Sequence, residues 1–262
     1  MPDEPPAPGM RTEGEEAERR PELSVIIPAY NEEDRLGPTL DSVAGFLEAS
    51  GTDYEILVVD DGSTDGTADL VRRRATQSPR LRLVRNPRNR GKGYSVRRGV
   101  EEARGRLVLF SDADNSTPPE EMAKLLPKLQ AEGYDIAIGS RALKESVLEV
   151  RQPFYREYMG RAFNLIVRMV ARLPIHDTQC GFKAFKADVA RTLFSHQTIE
   201  RFSFDVEVLY LALHKYGFRC VEVPVRWINS PRSRVHPVKD SWRMFRDVLR
   251  IRAQDRNGLY DD

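Results

Sequence analysis

Cysteine is scarce in this chain: among 262 residues only Cys180 and Cys220 carry a thiol. Two isolated cysteines in apolar surroundings make neither a thiolate metal site nor a redox pair, so buried, reduced thiols are expected. Long apolar runs are missing as well. Nothing approaches the roughly 20 residues that span a bilayer, and the N-terminus has no secretory-signal pattern, so a soluble or peripheral protein on the cytoplasmic side is expected. An excess of one charge is also absent, with 41 Lys+Arg against 40 Asp+Glu and a net charge of +1. That balance excludes a general nucleic-acid binder, and any basic patch must be local. Large apolar residues are nearly absent from Met1 to Arg20, which are rich in Pro, Glu and Gly. Such a segment cannot offset the entropy of ordering, so residues 1–21 are expected to form a flexible tail. No internal repeat occurs, and the sequence does not fix an oligomeric state.

What remains is an ordinary globular composition, 40% hydrophobic and 31% charged, long enough to bury a sizeable core. LSVIIPAY (Leu23 to Tyr30) and YEILVVDDGS (Tyr54 to Ser63) are continuous β-rich runs, the pattern of strands covered on both faces. Helical patterns over Leu36 to Ala49, Thr67 to Ala75 and Gly93 to Ala103 alternate with strands at Leu81 to Arg85 and Arg106 to Phe110. A helix over Glu120 to Glu132 and a strand over Asp135 to Gly139 follow. This alternation predicts an open, mostly parallel α/β sheet whose ligands lie outside the carboxyl ends of its strands. The polar clusters PAYNE, DDGSTD and DADNS should then converge. The second half is less regular: Tyr155 to Leu173 and Phe204 to Tyr216 look helical, Cys220 to Trp227 forms a strand, and Lys239 to Arg252 a helix.

In FSDADNSTPPEE (Phe110 to Glu121), Asp112 and Asp114 stand one residue apart where the strand ends. Alternate side chains share a face, so both acids can reach one small cation. Paired carboxylates suit Mg²⁺ or Mn²⁺, ions that keep water and substrate phosphate as further ligands. The competing structural role is an Asx turn leading into the helix near Pro118 or Pro119.

VIIPAYNE, VVDDGSTDGT, NRGKGYSVRRG, SDADNS, IGSR, DTQCGFKAF and RFSFDVEVLYLA occur in this order from Val25 to Ala212. Together they resemble family 2 glycosyltransferases of GT-A fold, with a mostly parallel mixed sheet flanked by helices. Among these the chain is most similar to polyprenyl-phosphate glycosyltransferases, and DTQCGFKAF with FDVE to the dolichyl-phosphate glucosyltransferase branch. The resemblance implies a catalytic domain over residues 22–236, followed by a basic helix and tail over 237–262. It also implies a metal-dependent, inverting transfer of a hexose to a polyprenyl phosphate. The donor implied is UDP-glucose, with GDP-mannose second, and the rival acceptor is a soluble hydroxyl.

By that resemblance Pro28, Ala29, Tyr30 and Glu32 hold the nucleotide, Tyr30 offering a ring face and Glu32 an acceptor. Asn31 would cap the following helix. One of Asp60 and Asp61 contacts the base or ribose while the other holds the turn. Lys92, in a GKG too short for a Walker loop, steadies the nucleotide or merely belongs to a turn. Asp114 ligates the metal, and Asp112, with Ala113 between them, contacts the sugar, the ribose or a metal-bound water. Ser116 stands where many relatives have Gln, which leaves a third ligand open. Arg141 is the first choice for the acceptor phosphate, joined by Arg161 and Asp177. Ser233 and Arg234 fall where relatives carry a phosphate-contacting loop, and Ile228 replaces a His common after Trp.

The helical pattern from Arg161 to Leu173 sets Arg161, Arg168 and Arg172 on one stripe, with Phe163, Ile166, Val170 and Leu173 opposite. Such a helix can lie on a membrane surface, and its alternative is a core helix with a solvated arginine face. Ser203 is expected to cap a helix that places Asp205 at the rim of the site. For a hydroxyl acceptor Asp205 or Asp177 would act as the base; for a phosphate, which is already an anion, Asp205 would only position groups.

Overall fold

The computed structural model describes residues 20–150, 164–229 and 237–261. Nearly all of the expected tail lies outside this set, as do Arg161, Phe163, Ser233 and Arg234.

The first half follows the expected alternation: β1 (Leu23–Ala29), α1 (Glu33–Ala49), β2 (Tyr54–Asp60), α2 (Thr67–Ala75), β3 (Leu81–Arg85), α3 (Lys92–Glu102) and β4 (Leu107–Ser111). A short 3₁₀ turn leads into α4 (Met122–Gln130), and β5 (Ile136–Ser140) and β6 (Val147–Val150) follow. Beyond lie α5 (164–171), β7 (Phe182–Lys186), α6 (Ala187–Ser195), α7 (Phe204–Tyr210), β8 (Cys220–Pro224), β9 (Arg226–Ile228) and α8 (Pro237–Arg256).

Seven strands form one sheet in the order β3-β2-β1-β4-β7-β5-β8, parallel throughout except for β7, which runs antiparallel to both neighbours. Strand side chains alternate between two apolar layers. Ile56 and Val58 join Leu36, Leu40, Val43 and Leu125 on one face, while Leu57 and Val59 join Val96, Val100, Phe194 and Phe204 on the other. Burial on both faces is why β1 and β2 read as unbroken apolar runs.

The second half departs from expectation in several places, β6 and α6 among the elements not expected. β7 was hidden because Lys183 and Lys186 interrupt the apolar run, yet Lys183 is 1% exposed and lies at the centre of the sheet. The expected strand Cys220 to Trp227 is two strands, since Pro224 has no N–H to continue the ladder; β9 pairs instead with β6. The expected helix to Tyr216 widens after Tyr210 into a π turn, Leu211–Lys215, and ends at Gly217 with φ 65°. In and just after α5 the expected apolar side is divided: Leu173 is buried and Val170 partly so, whereas Ile166 is exposed; Val167 and Ala171 are buried as well, and Leu165 and Met169 are exposed. Of the two cysteines, Cys180 is buried and Cys220 only partly so; both are free thiols.

Candidate active site

The carboxyl ends of β1, β2 and β4 meet as the parallel order requires. Asp61 N donates to the Ala29 carbonyl at 2.8 Å, and Thr39 Oγ1 of α1 donates to the Ala113 carbonyl at 2.8 Å. Beyond β1 the chain turns at Asn31, φ 50°. Asn31 does not cap α1: its Oδ1 accepts from Thr64 N at 2.8 Å, and its own N donates to Ser63 Oγ at 2.9 Å, so it fastens the β1 end to the β2 turn. Glu32 N donates to Thr67 Oγ1, while its carboxylate holds Arg35, whose Nη1 stands 3.9 Å from Asp114 Oδ2. Pro28, Tyr30 and Glu32 are partly exposed at this end of the sheet.

Both acids of the β2 turn hold backbone. Asp61 accepts from Asn86 Nδ2 at 2.9 Å, Arg90 N at 3.0 Å and Gly91 N at 2.7 Å, fixing the loop that precedes Lys92. Asp60 is fully buried; its Oδ1 accepts from Ser63 N at 3.0 Å. Its Oδ2 has Arg85 Nε at 3.0 Å but no aligned hydrogen bond. Both acids of the turn are thus engaged, and both are buried.

Asp112 and Asp114 follow β4 and are partly exposed. Asp114 Oδ1 accepts from Ser116 N at 3.1 Å, so the Asx turn forms and leaves Oδ2 outward. Asp112 Oδ1 lies 2.5 Å from Lys92 Nζ at the first turn of α3. A Cβ at Gly181 would collide with the Asp112 carboxylate, so this acid fits only because position 181 has no side chain. Behind it is a second ion pair, Lys183 Nζ to Asp205 Oδ1 at 2.5 Å, and the ammonium also donates to the Cys180 carbonyl at 2.7 Å. Both lysine ammoniums approach the Phe110 ring, at 5.9 Å for Lys92 and 5.3 Å for Lys183. Burial opposes the Lys92 charge, but Asp112, Asp205 and Asp114 outweigh it and raise its pKa. Asp205 is not at the rim: it is buried, and burial raises its pKa against the pull of Lys183 and Lys92. Ser203 makes no side-chain cap; its hydroxyl donates to Asp247 Oδ2 at 2.6 Å.

Arg141 leaves the end of β5 already engaged. Its Nε and backbone N donate to Asp177 Oδ2 at 2.7 and 2.9 Å, and its Nη2 donates to Oδ1 at 2.9 Å. The guanidinium also faces the Trp227 ring at 5.5 Å. Burial works against both charges, yet each holds the other ionised: the Asp177 carboxyl is lowered to about 2, and Arg141 is pushed above its ordinary value. Glu222 in turn accepts from the Asp177 and His176 backbone N–H groups at 2.9 and 2.8 Å. Burial raises the Cys180 thiol to about 11, so it is an inert neighbour.

Residues 24–194 match the sequence model described as glycosyl transferase family 2. The chain belongs to glycosyltransferase family 2. Dolichyl-phosphate beta-glucosyltransferase of Drosophila melanogaster is 42% identical over 88% of this chain and 74% of its own. The enzyme of that name from Dictyostelium discoideum is 39% identical over 91% and 76%, and the human one 34% over 91% and 77%. Among solved structures, glucosyl-3-phosphoglycerate synthase from Mycobacterium tuberculosis, in complex with Mn²⁺, UDP and its product, superposes with a TM-score of 0.66. At 22% identity over 94% of this chain and 82% of that one, the likeness is one of fold. This glycosyltransferase thus has the GT-A architecture.

In the family 2 chain the sequence motifs gather at one end of the sheet, where Asp60, Asp61, Asp177 and Asp205 are buried, while Arg161, Ser233 and Arg234 lie outside the described residues. Lys183, Gly181, Glu222 and Trp227 were not identified from sequence. A lysine within the apolar GFKAF was the available signal, because a charge in such a run needs a buried partner. Among the described residues no group of three His, Cys, Asp or Glu side chains gathers at metal-binding spacing. Asp112 and Asp114 offer hard oxygen donors partly open to solvent, a pair that fits a Mg²⁺- or Mn²⁺-sized ion completed by water and phosphate.

Proposed function

We propose that this family 2 glycosyltransferase moves glucose from UDP-glucose to a polyprenyl phosphate of the dolichyl type, at the cytoplasmic face of a membrane, with inversion and dependence on Mg²⁺ or Mn²⁺. The names of the relatives support the sugar and the lipid. The acceptor class is supported by a structural observation: of the two acids expected as a base, Asp205 is buried and bonded to Lys183 2.5 Å away, and Asp177 gives both oxygens to Arg141. A hydroxyl acceptor needs a base within reach of its proton. A phosphate monoester does not, and Arg141, with its fork oriented by Asp177, suits an anionic oxygen.

In this reading Tyr30 and Glu32 hold the nucleoside, joined by one of Asp60 and Asp61, with Pro28, Ala29 and Ala113 as backbone walls. Asp112 and Asp114 hold the divalent ion, which when bound stabilises the negative charge on the departing diphosphate. Arg141 holds the acceptor phosphate for in-line attack, and Asp177 holds Arg141. The loop from Asp177 to Gly181 fixes Arg141 at one end and admits Asp112 at the other, so donor and acceptor groups are set by one piece of backbone. Exposed Leu165, Ile166 and Met169, beside Arg168 and the exposed Arg172, form the surface that would meet the bilayer. No helix among the described residues is long and apolar enough to cross it.

The test is incubation with UDP-glucose, Mn²⁺ and polyprenyl phosphate in vesicles, with mass detection of the glycolipid and parallel arms with GDP-mannose and with EDTA. A glucosyl lipid lost on chelation is expected. Transfer only to soluble alcohols, or only from GDP-mannose, would overturn the reading.

A further inference from the structure

Two lysine–aspartate pairs stand side by side beneath the same rim, and they differ in the property that decides whether a pair can open. Lys183 and Asp205 are 1% and 5% exposed. Parting them leaves a buried charge without its counterion. Lys92 and Asp112 are 18% and 42% exposed. With water reaching the aspartate, parting this pair strands its charges less completely than parting the buried one. Yet the open pair includes one of the two acids that fit a divalent ion, and the oxygen it engages is on that acid.

We infer that Lys92 is a place-holding cation for Asp112: its ammonium occupies the carboxylate until a divalent ion takes that oxygen, and it then turns to the diphosphate that arrives with the ion. Three observations set this up. Gly181 leaves open the space that the Asp112 carboxylate occupies, so the acid has a place of its own beside the 177–181 loop. Asp205, the next acid inward, is already held by an ammonium of its own, Lys183 at 2.5 Å, on the Phe110 ring that both lysines approach. Lys92 is on the first turn of α3, on a flexible four-carbon stem whose base is fixed because Asp61 binds Gly91 N at 2.7 Å. The tip is left to move while the backbone is not.

The consequence is coupling. An ion arriving alone must evict the ammonium, whereas an ion arriving with a diphosphate finds that ammonium a new anionic partner. Metal and nucleotide therefore strengthen each other's binding, and by linkage the factor is the same in both directions. This inference rests on the metal-dependent reading above, so its test must separate the two.

Free Mn²⁺ is measured by electron paramagnetic resonance while it is titrated into the whole protein, with and without UDP. The variants are Lys92→Met, Lys92→Arg and, as a control on local charge, Arg90→Met, whose side chain pairs with Glu200 instead. In the wild type UDP should tighten Mn²⁺ by about tenfold or more, within the usual range of coupling. In Lys92→Met, Mn²⁺ alone should bind more tightly than in the wild type by a similar factor, and the added effect of UDP should shrink severalfold. Lys92→Arg should restore the coupling in part, and Arg90→Met should leave both values near wild type. If Lys92→Met leaves the affinity for Mn²⁺ alone within twofold, or Arg90→Met produces the same gain, the place-holder is overturned while metal dependence stands. If the wild type binds Mn²⁺ neither alone nor with UDP, the metal reading itself fails. Should Lys92→Met not fold, the arginine variant and the wild-type coupling still decide the matter, since a place-holder without coupling contradicts itself.

Discussion

Lys183 Nζ lies 2.5 Å from Asp205 Oδ1 at the centre of the sheet, and neither side chain is more than 5% exposed. Removing one partner of such a pair leaves the other charge stranded, whereas replacing both with apolar groups is often tolerated. Lys183→Met should therefore destabilise the fold by roughly 3–5 kcal/mol in urea denaturation, and Lys183→Met/Asp205→Leu by distinctly less. Without its lysine, Asp205 is driven further toward the protonated form. The deficit relative to wild type should then be greatest at neutral pH and shrink as the pH falls toward the ordinary carboxylate range. A deficit that stays constant with pH would mean that Asp205 is not the stranded charge.

Gly181 is a steric requirement of the site, not of a turn, because its missing Cβ is the space that the Asp112 carboxylate fills. In Gly181→Ala the acid must swing out while β7, held between β4 and β5, keeps the backbone in place. Turnover should fall by about a hundredfold, the order expected for a displacement near 1 Å in a reacting assembly. The melting temperature should move far less than in the lysine variant. Equal losses of stability and turnover would show that position 181 serves the fold.

The legible part of the sequence was the part with a repeating physical signal. Strands β1 and β2 are buried on both faces and read as apolar runs, and the acids at their ends followed from the parallel alternation. β7 was not legible because its central charge is neutralised by Asp205, a residue from a helix that the local pattern cannot connect to it. The Ser203 and Asn31 caps failed for a related reason. Both side chains do bond, but to Asp247 and Thr64, partners distant in sequence whose competition a local rule does not contain. Adjacent acids at 60 and 61 gave no basis for choosing between them. The structure gives them different partners, the 86–91 loop for Asp61 and the Ser63 N–H with Arg85 for Asp60.

Asp177 anchors Arg141 through both oxygens, and the pair sets an acid limit on stability. Burial favours the neutral acid, but the Arg141 charge prevails and lowers the folded carboxyl to about 2. A depressed folded value means stability that is fully present above the unfolded carboxylate range near pH 4 and lost as pH falls toward 2. Between those values wild type should lose on the order of 2 kcal/mol that Asp177→Asn does not lose, read as the difference of their denaturation curves against pH. At neutral pH the same variant should raise the KM for polyprenyl phosphate and leave UDP-glucose affinity near wild type, because it frees the guanidinium without touching the donor acids. A matching loss of donor affinity would contradict the division between donor and acceptor groups.

Helix α5 exposes Leu165, Ile166 and Met169 while burying Val167 and Ala171, so its outward face is apolar where a solvated helix would be polar. Exposed Arg172 and half-buried Arg168 border that face with positive charge. An apolar strip edged by arginine suits the boundary of an anionic bilayer, where acyl contact and headgroup attraction add. Ile166→Asp/Met169→Asp should lower co-sedimentation with phosphatidylserine-containing vesicles by about tenfold or more, since each change both removes buried apolar area and adds a repelled charge. Because these side chains point away from the core, the melting temperature and the affinity for UDP should stay near wild type. Transfer to a lipid in vesicles should therefore fall much more than transfer to a short-chain, detergent-dispersed acceptor; equal losses with both acceptors would place the helix in the catalytic machinery and not at the membrane.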